Sequence, residues 1–132
     1  MSRAGVSVVE RIYEAFGRRD LPALFELFDP GIEWIAAENS PAGARSPYHG
    51  PKEIQEEVFA RIGSDFEDFA IRVDELLDAG DRVVMLGYYL GARRSTGKRF
   101  RAQVAHVWTI AAGKAIKFQQ YTDTFQFAET AK

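Results

Sequence analysis

The chain has 132 residues, 46% of them hydrophobic and 27% charged, with no cysteine and a formal net charge of −2 at pH 7. One domain spanning 1–132 is expected, long enough for a real core; the mild acidity excludes a dedicated nucleic-acid binder. The lack of cysteine excludes disulfides, a thiolate nucleophile and cysteine-ligated zinc. No stretch approaches the length of a membrane span and MSRAGVSVVERIYEAF lacks the uncharged run of a signal peptide, so a soluble, cytoplasmic protein without membrane contact is expected.

Ser7 with Glu10 forms a capping-box pattern, and Val8, Val9, Ile12, Tyr13 and Phe16 follow at helical spacing, which predicts a first helix over 8–18. LPALFELF, with Pro22 in its first turn, predicts a second that stops at Asp29-Pro30-Gly31. IEWIAAE reads as a strand over 32–38. The loop 39–51 is too long for a turn, and loops of that length are often functional. Pro51 opens a third helix, with Ile54, Val58, Phe59 and Ile62 on one side.

From Phe66 the period becomes two, predicting strands near 66–78, 82–93, 98–111 and 114–125, joined at Ala79-Gly80-Asp81, Ser95-Thr96-Gly97 and Ala112-Gly113. The fold class is therefore α+β: order α-α-β-α-β-β-β-β, a curved antiparallel sheet with three helices on its concave face, and a pocket at one end.

Strand alternation puts His106 and Trp108 on one face. A regular two-residue turn at Ala112-Gly113 would set His106 opposite Gln119 and add Gln119, Tyr121 and Asp123 to that face. An imidazole and a carboxylate in an aromatic pocket suit proton transfer on a small organic molecule. In that register Asp123 lies four positions beyond the partner of His106, roughly 13 Å at about 3.3 Å per residue, so the two would meet opposite ends of a ligand unless a bulge intervenes.

Tyr13 and Trp34 are read as pocket walls with polar tips, and His49 in Tyr48-His49-Gly50 as a residue at the pocket mouth or in a surface turn. The histidines and aspartate lack metal-ligand spacing, so no metal and no cofactor is expected. Arg93, Arg94, Lys98, Arg99 and Arg101 bracket a hairpin tip, read as a solvated basic turn or an acidic-ligand site.

The ordered series IYEAFGRRDLPALFELFDPGIEW, YHGPKEI, LLDAGDRVVMLG, STGKRF and AHVWTIAAGKAIKFQQYTD resembles the SnoaL-like group of the nuclear transport factor 2-like superfamily, over about Val8 to Phe125. The resemblance implies a cone-shaped α+β fold with a ligand pocket, and a homodimer through the outer sheet face. In SnoaL-type polyketide cyclases an aspartate on the last strand is the proposed acid/base. The resemblance thus implies catalytic roles for Asp123 as base, His106 as its neighbour and Tyr121 as hydroxyl donor, with Tyr13, Trp34, His49, Trp108 and Gln119 as ligand-binding residues.

The ketosteroid isomerase pattern is not matched at its three catalytic positions, which would fall near Trp34, Ala105 or His106, and Ile12, unless a one-residue shift lets Tyr13 serve. An Asp-Arg-Asp set of the limonene epoxide hydrolase kind is weaker still, because alternation puts Arg101 opposite to His106. The function expected is an isomerase, cyclase or hydrolase on a small apolar or aromatic carbonyl compound; the alternative is a non-catalytic binding or dimerisation module.

Overall fold

Val6, Val9 and Ile12 fall on one side of a helix and are buried, and this pattern carries helix α1 (Arg3–Gly17) a turn further toward the N-terminus than the Ser7 cap suggested. The computed structural model describes residues 3–41, 43 and 45–132. Residues 1 and 2, in the stretch read for a signal peptide, and residues 42 and 44, in the expected 39–51 loop, lie outside the described residues.

Helix α1 ends on Arg19 in the left-handed conformation (φ 59°), with the Arg19 and Asp20 amides donating to the carbonyls of Phe16 and Ala15 at 3.0 Å. The Asp20 carboxylate then accepts from the Ala23 amide at 3.1 Å and caps α2 (Leu21–Glu26), whose first turn holds Pro22. Strand β1 (Phe28–Ile35) starts earlier than predicted. The short strand β2 (Tyr48–His49) pairs with it antiparallel, Trp34 opposite Tyr48.

The third predicted helix is one uninterrupted helical segment of three pieces: α3 (Gly50–Ile54), a π-helical turn (Gln55–Phe59) and α4 (Ala60–Asp65). A π turn is a local widening that recurs at functional sites. Here the sequence neighbours Val58 and Phe59 both reach the same cavity.

Strands β3 (Phe66–Ala79), β4 (Arg82–Arg93), β5 (Arg99–Ala111) and β6 (Lys114–Thr122) form the predicted meander. Among the described residues the sheet has six strands, in the order β2-β1-β6-β5-β4-β3. It is mixed rather than purely antiparallel, because β1 runs parallel to β6. The helical segment and four further strands separate those two in sequence, so no hairpin forces them to reverse.

The turn from β5 to β6 is the predicted one: Ala112 (φ 51°) and Gly113 (φ 76°) both lie in the left-handed region, as a type I′ hairpin requires. Directly after it the register slips. Ile110 pairs with Ala115 but Thr109 pairs with Lys117, leaving Ile116 as an extra residue. From there His106 faces Gln120, not Gln119, and Phe118, Gln120 and Thr122 share its side of the sheet.

Strand β6 also stops at Thr122. A further helix, α5 (Thr124–Thr130), follows, because turning the chain there buries Phe127 against Phe100 and Phe66, with ring centroids 4.9 and 5.7 Å away. The basic hairpin tip is exposed, with Arg94, Lys98, Arg99 and Arg101 at the surface, and it also makes structural contacts. Arg93 donates to the Phe127 carbonyl (3.1 Å) and Thr130 hydroxyl (3.2 Å), Thr96 donates to the Thr130 carbonyl (2.6 Å), and Lys98 reaches the carbonyl of Lys132. Together they tie down the C-terminal end of α5, where cations are favoured.

Candidate functional site

On the concave side the helices stand off the sheet over an aromatic hollow floored by Trp34 and Phe118, stacked with centroids 3.8 Å apart. The hollow is a cavity of about 40 Å³, walled by Ile12, Phe16, Val58, Phe59, Phe69 and Trp108 among others. That is room for a few waters or a small organic group. A wider outer recess of about 250 Å³ shares Phe16, Phe59, Ile62 and Phe69 with it.

One chain of polar groups crosses the apolar cavity. The Tyr13 hydroxyl, brought by α1, lies 2.6 Å from Nδ1 of His106 on β5, and the Tyr89 hydroxyl from β4 lies 2.6 Å from Nε2. Trp108 Nε1 donates to the Tyr13 oxygen at 2.9 Å, and Gln120 Nε2 donates to the Tyr89 oxygen at 2.7 Å. The Ala37 amide donates to Gln120 Oε1 at 2.9 Å, which fixes which end of that amide faces Tyr89.

Burial sets the charge state of this chain. His106 is 2% exposed and burial pushes its pKa down to about 3, since an imidazolium there would lose its hydration. Burial likewise raises the Tyr13 hydroxyl well above its ordinary value against the lowering effect of Trp108, and raises Tyr89 against that of Gln120. The three groups are neutral at physiological pH.

Neutrality has a consequence for the hydrogens. An imidazole carries one hydrogen on one nitrogen only, so one phenol donates to the ring and the other accepts from it. The accepting phenol already accepts from Trp108 or Gln120. Its own hydrogen finds no acceptor among the described residues, at Tyr13 in one tautomer and at Tyr89 in the other, and both residues line the cavity.

Of the residues named from sequence, His106, Tyr13, Trp34 and Trp108 come together in this cavity. Tyr121, Gln119 and Asp123 do not join them. The bulge at Ile116 turns Gln119 and Tyr121 to the opposite face, where Tyr121 is 54% exposed. Asp123 leaves the sheet altogether. It is exposed at the start of α5, its amide donates to the Gln103 carbonyl at 3.2 Å, and its carboxylate accepts from Gln126 Nε2 at 3.5 Å.

Tyr121 and Asp123 instead border a shallow hollow on the outer sheet face. The shared concave surface for His106, Tyr121 and Asp123 is thereby corrected. His49 is exposed and pairs with Glu33, its amide donating to the Glu53 carboxylate at 2.7 Å. It lies outside the cavity. Two site residues escaped the sequence reading: Tyr89, whose alternation along β4 could have placed it inward, and Gln120, hidden by the bulge.

The family described as SnoaL-like domain matches residues 9–118. An NTF2-like protein from Burkholderia thailandensis is 37% identical, with a TM-score of 0.91 over 96% of this chain and 95% of the other. An NTF2-like protein of unknown function from Burkholderia pseudomallei is 26% identical, with a TM-score of 0.87 over 96% of each chain. TerC, co-crystallised with polyporic acid, is 24% identical with a TM-score of 0.85 over 96% and 97%, a likeness of fold. No functionally curated protein matches the chain.

Proposed function

Because the chain belongs to the SnoaL-like domain family, a fold that holds its pocket between helices and sheet, we propose that it takes up a small, neutral, largely apolar carbonyl compound. The carbonyl oxygen accepts the unspent hydroxyl hydrogen of the Tyr13–His106–Tyr89 chain. That hydrogen is the observation that carries the reading: at Tyr13 in one tautomer and at Tyr89 in the other, it is a donor on a mostly apolar cavity with no acceptor among the described residues.

A preorganised donor aimed at an oxygen where negative charge develops is worth far more in such a site than in water. Polarising the carbonyl acidifies its α-hydrogens, the first requirement of isomerase or cyclase chemistry. Among the described residues no carboxylate, lysine or arginine lines the cavity, so the reading assigns Asp123 no part at the carbonyl. The same observation favours a second reading, a binder without turnover. As protein partner we propose a second copy on the outer sheet face.

Cyclohexanone and methylenecyclohexane, alike in shape but not in hydrogen bonding, test this by calorimetry. Cyclohexanone should bind about tenfold tighter, the difference one neutral hydrogen bond makes. The preference should vanish in the double variant Tyr13→Phe/Tyr89→Phe, with methylenecyclohexane binding as the control for an intact pocket. Equal affinities in the unaltered protein would sink the reading. Deuterium uptake at the α-carbons of cyclohexanone in heavy water separates turnover from binding alone.

A further inference from the structure

Behind the cavity lies a second chamber of about 40 Å³ that shares Trp34, Val58, Ile62, Phe69, Tyr89 and Gln120 with it and is closed by Ser40, Pro41 and Phe127. Its lining holds a polar anomaly. Ser40 Oγ is buried without a hydrogen-bond partner among the described residues, a costly state that native structures seldom keep without a use.

The backbone of the Ser40 turn is held in place, and the side chain rotates on it. The Ser40 amide donates to the Ala37 carbonyl at 3.1 Å and the Gly43 amide to the Ser40 carbonyl at 3.0 Å. Gly43 packs so close that a Cβ there would lie 2.7 Å from the Ala37 carbonyl oxygen and 3.0 Å from Ser40 Oγ. The turn is tied to the first cavity as well, since the Ala37 amide bonds to Gln120, which in turn holds Tyr89. Gln120 lines both chambers and spends one of its two amide hydrogens on Tyr89.

We infer that the two chambers take one ligand, a carbonyl compound carrying a second oxygen, with the carbonyl at the Tyr13–His106–Tyr89 chain and the second oxygen at Ser40 Oγ beside Gln120. This rests on the proposed carbonyl site and adds the substrate class to it. The remaining walls of the second chamber are mostly apolar, so a molecule with a ring between two oxygens matches the pair of chambers better than a polyol or a charged group does.

The probes are cyclohexanone and its 2-, 3- and 4-hydroxy derivatives, which offer the second oxygen at three spans, titrated into the unaltered protein and into Ser40→Ala. At least one hydroxy isomer should bind about tenfold tighter than cyclohexanone. Ser40→Ala should abolish that gain, leave the cyclohexanone affinity unchanged, and leave the melting temperature unchanged or higher, since it removes an unpaired hydroxyl.

If no hydroxy isomer exceeds cyclohexanone, or if Ser40→Ala keeps the gain, the inference is overturned and the carbonyl site stands. A lowered melting temperature in Ser40→Ala overturns it too, by showing that the hydroxyl already has a structural partner such as a bound water. If cyclohexanone itself fails to bind better than methylenecyclohexane, the underlying reading falls instead.

Discussion

With both ring nitrogens bonded to phenols and, among the described residues, no carboxylate lining its cavity, protonating His106 would put an uncompensated charge into the core. The fold therefore binds the proton less tightly than the unfolded chain does. The native pKa of about 3 lies below the ordinary 6.5, so this residue costs nothing above pH 6.5. As pH falls below that value the unfolded chain takes up a proton that the native state refuses. Stability should fall by up to about 1.4 kcal/mol per pH unit from this group until the native pKa is reached. Urea unfolding of the unaltered protein and of His106→Gln at pH 7, 6, 5 and 4 isolates the effect: the stability difference between the two should shift toward the variant as pH drops. Parallel pH profiles would show that His106 is not held neutral.

At the scale of the element, bulging at Ile116 decides which face of β6 meets the ligand. Deleting Ile116 would remove the bulge while leaving Ala115 opposite Ile110 and Lys117 opposite Thr109, so Phe118 and Gln120 would stay inward. Phe118 is buried in the core and stacked on Trp34, so the deletion protein should still unfold cooperatively and keep its near-ultraviolet circular dichroism. Loss of cooperative unfolding would mean that the bulge itself, and not the packing of Phe118, holds β6 in place. The turn itself permits a milder change: Ala112 at φ 51° pays a steric cost that glycine does not, so Ala112→Gly should stabilise by about 1 kcal/mol. The meander, its turns and the inward set of β5 were legible in the sequence because alternation and turn glycines are local signals. The bulge was not, since AIKFQQYT reads equally well in either register, and only packing against Trp34 and Trp108 chooses. One unreadable residue thus moved Asp123 and Tyr121 out of the site and brought Gln120 into it. The end of β6 was hidden for a similar reason, since TDTFQF alternates like a strand until burial of Phe127 curls it into α5.

At the scale of the whole molecule, the two faces of the sheet differ in how they are covered. The helices cover the concave face, while the outer face leaves Leu77, Leu86 and Tyr121 exposed at 41%, 36% and 54%, the last two beside Tyr88. Arg72 and Arg101 lie over the Tyr88 ring, 4.6 and 4.3 Å from its centroid, and Asp74 and Asp123 border the same hollow. Apolar side chains rimmed by both signs of charge make a surface on which a second copy, related by a two-fold axis, can set its carboxylates against the other's guanidinium groups. Such a dimer leaves the ligand cavity untouched, because the sheet stands between them. Leu86→Glu places a carboxylate at the centre of that face without touching the Tyr13–His106–Tyr89 chain. In sedimentation equilibrium the unaltered protein should run as a dimer and Leu86→Glu as a monomer, with cyclohexanone binding retained in both. A monomeric unaltered protein, or a dimer that survives the substitution, would place the contact elsewhere or remove it.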